Sequence, residues 1–223
     1  MRVQEGRPGV FSAHELSVLL AGARITLTSL QTPLEKMARE YHTLPTDLPV
    51  PEDDGAADHL PGNELPHLSL PSTAGAELDL RAEAGDTLVL YVYPRTGKPG
   101  EPLPPGWDDI PGARGCTPES CAFRDHAAEI EKLGARVLGL SAQSLADQHE
   151  FAERVGLPYP ILSDPELELA KALKLPTFEV AGMTLYKRIT LIVRAGRIVH
   201  VFYPVFPPDR NAADVVDWLL SHP

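Results

Sequence analysis

This 223-residue chain has little cysteine: two residues, Cys116 and Cys121, with four positions between them in "RGCTPESCAFRD". That spacing excludes a Cys-x-x-Cys redox pair. Two thiols also fall short of a structural zinc site, which needs four ligands at short spacings. The eight histidines form no ligand-like constellation, and His126, His149 and His200 read as ordinary helix or strand residues. No run of Lys or Arg occurs, and the formal net charge is −11, so nucleic acid and anionic membranes are poor partners. No apolar stretch reaches the roughly 18 residues a membrane helix needs, and the N-terminus lacks a signal-peptide pattern. The expectation is a soluble, cytoplasmic protein. A disulfide framework is not expected in a reducing compartment, so paired thiols lean toward chemistry.

What the chain does have is enough apolar residue, 43%, for one substantial core with an appendage. Two helical patterns open it. In "SAHELSVLL", Ser12 and Glu15 make a capping box, and Leu16, Leu19, Leu20 and Ala23 recur at helical spacing. In "TPLEKMAREY", Thr32 caps a helix with Pro33 at its first position. Together they predict a helical hairpin over residues 1–44. Residues 45–66 carry five prolines and the acidic "PEDDGAAD", and read as an extended linker. The main domain is then placed at 67–223.

Within that domain "HLSL" and "AELDL" flank "PSTAG" as a small β-hairpin. "TLVLYVYP" is a continuous apolar run, as in a strand buried on both faces. Phe123, Ala127, Ile130 and Leu133 line a helix that Gly134 stops, and "ARVLGLSA" is the next strand. "SLADQHEFAERVG" is a helix capped by Ser144, followed by a strand at "YPILSD" and a helix in "PELELAKALKL". "RITLIVRAGRIVHVFYP" is two strands about a Gly turn, and "DRNAADVVDWLL" closes the chain as a helix. The order β-α-β-α-β-α-β-β-α favours a thioredoxin-like α/β fold: a mixed sheet flanked by helices, with a β-hairpin extension and the separate N-terminal helical hairpin.

Cys116 falls after the first core strand and at the start of the first core helix, where an open α/β sheet binds ligands. Unpaired N–H groups and the helix dipole at such a start stabilise a thiolate and can lower a cysteine pKa. The bland alternative is a buried cysteine acting as a small hydrophobe. If both cysteines lie in one regular helix, they sit about 140° apart around the axis and about 7.5 Å apart along it. Their Cα atoms then exceed the roughly 7 Å limit for a disulfide, so bonding requires the helix start to unwind.

"YVYP", "GCTPESCAFRD", "GLSAQSLADQHEFAERVG" and "KRITLIVRAGRIVHVF", in that order, resemble the peroxiredoxins of the bacterioferritin-comigratory-protein type. The resemblance covers roughly residues 61–221 and excludes the N-terminal hairpin. It implies a thiol peroxidase acting on hydrogen peroxide and organic hydroperoxides, with Cys116 peroxidatic and Cys121 resolving through an intramolecular disulfide. Arg188 matches the active-site arginine, Pro94 closes the first core strand, and Glu119 and Arg124 match positions that support the cysteine pocket. No cofactor or metal is implied. The partners would be the peroxide and thioredoxin or a similar thiol reductant, with the chain a monomer or weak dimer. One departure stands out. The family's threonine, three residues before the peroxidatic cysteine, is replaced by Ala113, behind the insertion "GKPGEPLPPGWDDIPGA". Thr96 is the displaced threonine if that insertion loops out and returns; otherwise it is a loop residue. Trp107, the insertion's one large apolar group, either packs the loop down or covers the thiol pocket. Two other readings remain open: a one-cysteine peroxidase resolved by an external thiol, and a non-enzymatic redox sensor or binding module.

Overall fold

The computed structural model describes residues 44–223. The helical hairpin expected before them lies outside the described residues. A hairpin of β1 (Ser69–Pro71) and β2 (Glu77–Asp79) leads into a one-turn helix, α1 (Leu80–Glu83). Then follow β3 (Thr87–Val92), α2 (Cys116–Lys132), β4 (Arg136–Ser141), α3 (Leu145–Val155), β5 (Ile161–Ser163) and α4 (Glu168–Leu173). A second hairpin, β6 (Thr177–Val180) with β7 (Met183–Tyr186), precedes β8 (Ile189–Arg194), β9 (Arg197–Phe202) and α5 (Asn211–Ser221). The central sheet has the order β5-β4-β3-β8-β9. Strands β3, β4 and β5 run parallel, while β8 and β9 are antiparallel to their neighbours. This is the mixed, helix-flanked sheet expected from the sequence.

The continuous apolar run of β3 follows from burial on both faces. Leu88, Leu90 and Val92 point into one core layer, and Val89, Tyr91 and Tyr93 into the other. Strand β8 repeats the alternation, with Leu191 and Val193 on the first side and Ile192 on the second. Helices α2, α3 and α5 cover the second layer through Phe123, Ile130, Phe151, Val215 and Leu219. Each such buried side chain contributes roughly 1.5–3 kcal/mol. At the centre of this layer Tyr91 stacks on Phe123, ring centroids 4.4 Å apart. Gly139, its register partner on β4, leaves the necessary room: a Cβ there would lie 2.8 Å from the Tyr91 ring.

Residues 45–66 depart from the expected linker. Their second half belongs to the core: Leu60 and Leu65 are fully buried, and Ala57 nearly so. The Gly62 N–H donates to the Ile198 carbonyl and the Leu65 N–H to that of Gly196, so this segment flanks β9. The prolines and acidic residues that suggested a tether are surface features, while the two leucines face inward. The first half is tied down as well. Asp54 accepts from the Lys187 ammonium at 2.6 Å and the Tyr203 hydroxyl at 2.7 Å, which together hold its carboxyl at about 2. This folded value lies below the reference of 3.8, so the tie is intact above about pH 4 and is lost as pH falls toward 2. The Tyr203 ring resonances should therefore titrate in that window by NMR. They should not do so in Asp54→Asn, and a flat wild-type profile would show that the contact does not hold the segment.

Among the described residues, no helix is long and apolar enough to cross a membrane.

Candidate active site

The site is built at the start of α2. Gly115 precedes the helix with φ +104°, a left-handed conformation that side chains disfavour. It is also pressed against the segment before α5, where a Cβ would come 2.2 Å from Pro208 Cγ. Cys116, Thr117 and Pro118 make the first turn, and the Glu119 N–H closes it onto the Gly115 carbonyl at 3.0 Å. Proline fits there because its missing N–H would have no helical partner.

Cys116 is 3% exposed, and Arg188, just ahead of β8, reaches its sulfur. Arg188 Nη2 lies 3.2 Å from Cys116 Sγ and also donates to the carbonyls of Arg114, Ala113 and Gly112 at 3.1–3.4 Å. Its Nη1 donates to Glu119 Oε2 in a fully buried ion pair. Asn211, the first residue of α5, bridges Glu119 Oε1 at 2.9 Å and the Thr190 hydroxyl at 2.7 Å. Arg188 Nε is buried with no hydrogen-bond partner among the described residues.

Burial pushes the Cys116 thiol up; the Arg188 charge opposes it, the Glu119 carboxylate reinforces it, and the Arg95 backbone N–H opposes it. This corrects the lowering expected from the helix start alone. The thiol is removed from water almost completely, and desolvation of a thiolate outweighs the nearby donors. The Arg188 charge is in turn shared with a buried carboxylate.

Thr96 reaches the same pocket. The insertion leaves β3 and returns, so Arg95, Thr96, Leu103, Trp107, Arg114, Gly115, Cys116 and Thr117 line one small cavity of about 20 Å³. Thr96 is fixed there by Gln143, which follows β4. The Thr96 N–H and hydroxyl both donate to Gln143 Oε1, at 2.7 and 3.0 Å, and Gln143 Nε2 donates to the Thr96 carbonyl at 3.3 Å. With its proton committed, the Thr96 oxygen is left as an acceptor. Ala113 is fully buried, and its carbonyl accepts from the Cys116 thiol at 3.7 Å. Pro94 is buried just beyond β3, outside the pocket wall.

Arg124 does not support the pocket, contrary to expectation. Eight residues past Cys116 on a regular helix, it lies about 12 Å further along the axis. Its bonds run to Asp125 at 2.8 Å and to the Val155 carbonyl at 2.7 Å, where it ties α2 to the end of α3. It stands near Cys121 instead: burial pushes that thiol up, and the Arg124 charge opposes it. Neither cysteine is in a disulfide, and both lie within α2. Five helical positions separate their Cα atoms by about 8.7 Å.

Gln143 and Asn211 were not legible as site residues in the sequence. Gln143 sits in the "SAQS" that ends β4, at the carboxyl ends of the parallel strands where ligands bind, which is the one signal that could have found it. Asn211 carried none.

A buried thiol held by an arginine, above a helix start and beside a fixed hydroxyl, suits attack on a small polar electrophile. The Redoxin family profile matches residues 60–217. The chain belongs to the Redoxin family. Its relatives agree on the branch. "Putative peroxiredoxin bcp" of Coxiella burnetii is 28% identical over 158 residues, spanning 70% of this chain and 95% of that one. The crystal structure of "Peroxidoxin BcpB from Mycobacterium tuberculosis" covers 74% of this chain and 99% of its own, with TM-score 0.61 and 26% identity. "Xanthomonas campestris Peroxiredoxin Q" covers 79% and 99%, with TM-score 0.56 and 26% identity. This redoxin is therefore a peroxiredoxin of the bacterioferritin-comigratory-protein type, a thiol-dependent peroxidase.

Proposed function

We propose that this peroxiredoxin reduces hydrogen peroxide and organic hydroperoxides through a Cys116 sulfenic acid, resolved by Cys121 as an intramolecular disulfide. The observation that carries the reading is the 3.2 Å contact of Arg188 Nη2 with Cys116 Sγ, with the thiol in the wall of a small pocket. The Cys116 thiolate attacks one peroxide oxygen. A sulfur–oxygen bond forms, the O–O bond breaks, and the departing oxygen takes a proton and leaves as water or alcohol. Arg188 supplies a permanent charge and a planar donor, Nη2, beside the sulfur. Thr96 accepts a hydrogen bond from the peroxide O–H.

In the second step the Cys121 thiolate attacks the sulfenic sulfur, and hydroxide leaves as water. The helix holds the two sulfurs apart, so this step needs the start of α2 to unwind. That unwinding must release Glu119 from Arg188 and Asn211, while Phe123, the first large apolar side chain of the helix, stays anchored in the core. A dithiol reductant of thioredoxin type then restores both thiols.

The test uses single-turnover oxidation by one equivalent of hydrogen peroxide, thiol counting and mass spectrometry. Wild type is expected to lose two thiols and gain no oxygen. Cys121→Ser is expected to react once and stall as a sulfenic acid, or to over-oxidise. Amide exchange over residues 114–126 should rise on oxidation while residues 88–93 change little. Wild type that retains the Cys121 thiol after one equivalent would place resolution on an external thiol.

A further inference from the structure

The insertion between β3 and α2 is a seated lid over the thiol. It contains a one-turn helix, Trp107–Asp109, and Trp107 is 3% exposed. The Trp107 ring meets Phe178 of β6, centroids 6.2 Å apart, within an apolar cluster that includes Ala113, Val180 and Leu185. Leu103 and Ile110 pack against the same cluster. Polar ties close the loop from outside: Arg114 pairs with Asp108 at 2.9 Å, and Arg154 Nη2 donates to the Gly97 carbonyl at 3.0 Å. The hairpin β6–β7 thus serves as the floor on which the insertion rests.

Trp107 and Leu103 are also walls of the Cys116 pocket, whose volume is about 20 Å³. That is room for roughly one water-sized molecule. Hydrogen peroxide is little larger than water, while an aryl or branched alkyl hydroperoxide carries a body many times that size. A roomier cavity of about 300 Å³ is lined by Ile110, Phe178 and Arg188, but Cys116 takes no part in its wall.

We infer that Trp107 and Leu103 crowd the mouth of the Cys116 pocket: hydrogen peroxide reaches the sulfur freely, while the body of a bulky hydroperoxide must project past these two side chains and is disfavoured. Bulky hydroperoxides gain when the insertion lifts from the β6–β7 hairpin. This rests on Cys116 being the attacking thiol. A single methylene of misfit in a packed pocket discriminates by about 10- to 200-fold, and a bulky hydroperoxide carries several.

The test is stopped-flow oxidation of the reduced full-length chain by hydrogen peroxide and by cumene hydroperoxide, each rate divided by that of free cysteine with the same peroxide. Wild type is expected to favour hydrogen peroxide by about tenfold or more. Trp107→Ala and Leu103→Ala are each expected to cut that preference about fivefold or more, chiefly by speeding the cumene reaction. Thermal melts establish that each variant is folded; should Trp107→Ala unfold, Leu103→Ala carries the test. A wild-type preference near one overturns the inference, as does a preference unchanged in the folded variants. A Cys116 that fails to react with hydrogen peroxide itself would remove the underlying assignment, a different result from loss of size selection alone.

Discussion

Cys116→Ser is expected to lower peroxide turnover by roughly three orders of magnitude or more, to the level of the reductant alone. A serine hydroxyl is a far weaker nucleophile at its own pKa, and among the described residues no side chain is placed to deprotonate it. The fold should survive, because the substitution changes one atom. The new oxygen can accept from Arg188 Nη2 and donate to the Ala113 carbonyl, as the sulfur does. The melting temperature should then stay within a few degrees of wild type while turnover disappears. A coupled assay with a dithiol reductant reads the first quantity and calorimetry the second. Persistent turnover in the folded variant would move the chemistry away from Cys116.

The second large effect concerns the buried Arg188–Glu119 pair. Removing either partner leaves the other charged and shut from water, which costs about 3–5 kcal/mol. Glu119→Gln and Arg188→Met should therefore both lower stability in denaturant unfolding. Their effects on the thiol should be opposite. The Glu119 carboxylate raises the Cys116 pKa and the Arg188 charge lowers it. Only the thiolate attacks, so the inflection in single-turnover rate against pH should move to lower pH in Glu119→Gln. In Arg188→Met it should move to higher pH, with a slower rate at its plateau because the leaving oxygen has lost its donors. Two variants alike in stability but opposite in inflection separate an electrostatic role from general loosening. Inflections moving together would mean that the pair acts only on the fold.

Much of the architecture was legible because it is written in local patterns. The continuous apolar run of β3 reported burial on both faces, and Ser144 reported the start of α3, where its side chain accepts from the Asp147 N–H. The β6–β7 hairpin was missed for a definite reason. Its turn, Ala181-Gly182, has positive φ at both residues, 49° and 76°, a geometry usually signalled by Asn-Gly or Asp-Gly. Alanine there hides the turn. Leu60 and Leu65 were obscured by the prolines and acidic residues around them.

The site divides along the same line. That both cysteines share one helix followed from sequence, as did the candidate return of Thr96. What fixes Thr96 did not follow, since Gln143 lies 47 positions away, and such pairings leave no trace in a local window. The direction of the Cys116 pKa was misjudged because the helix start is visible in sequence whereas the depth of burial is a property of the assembled fold.

Gly115 lies beneath Pro208, and Glu119 is held by Arg188 and Asn211, so the pocket takes its second half from the last fifth of the chain. During synthesis, Cys116 leaves the ribosome well before those residues are made. Until they dock, Cys116 has no Arg188 guanidinium beside it and Gly115 no Pro208 above it. On the proposed mechanism, the activated thiol therefore arises late, once translation is nearly complete. A chain cut short before residue 188 would keep both cysteines and the insertion but lack the guanidinium that contacts the Cys116 sulfur.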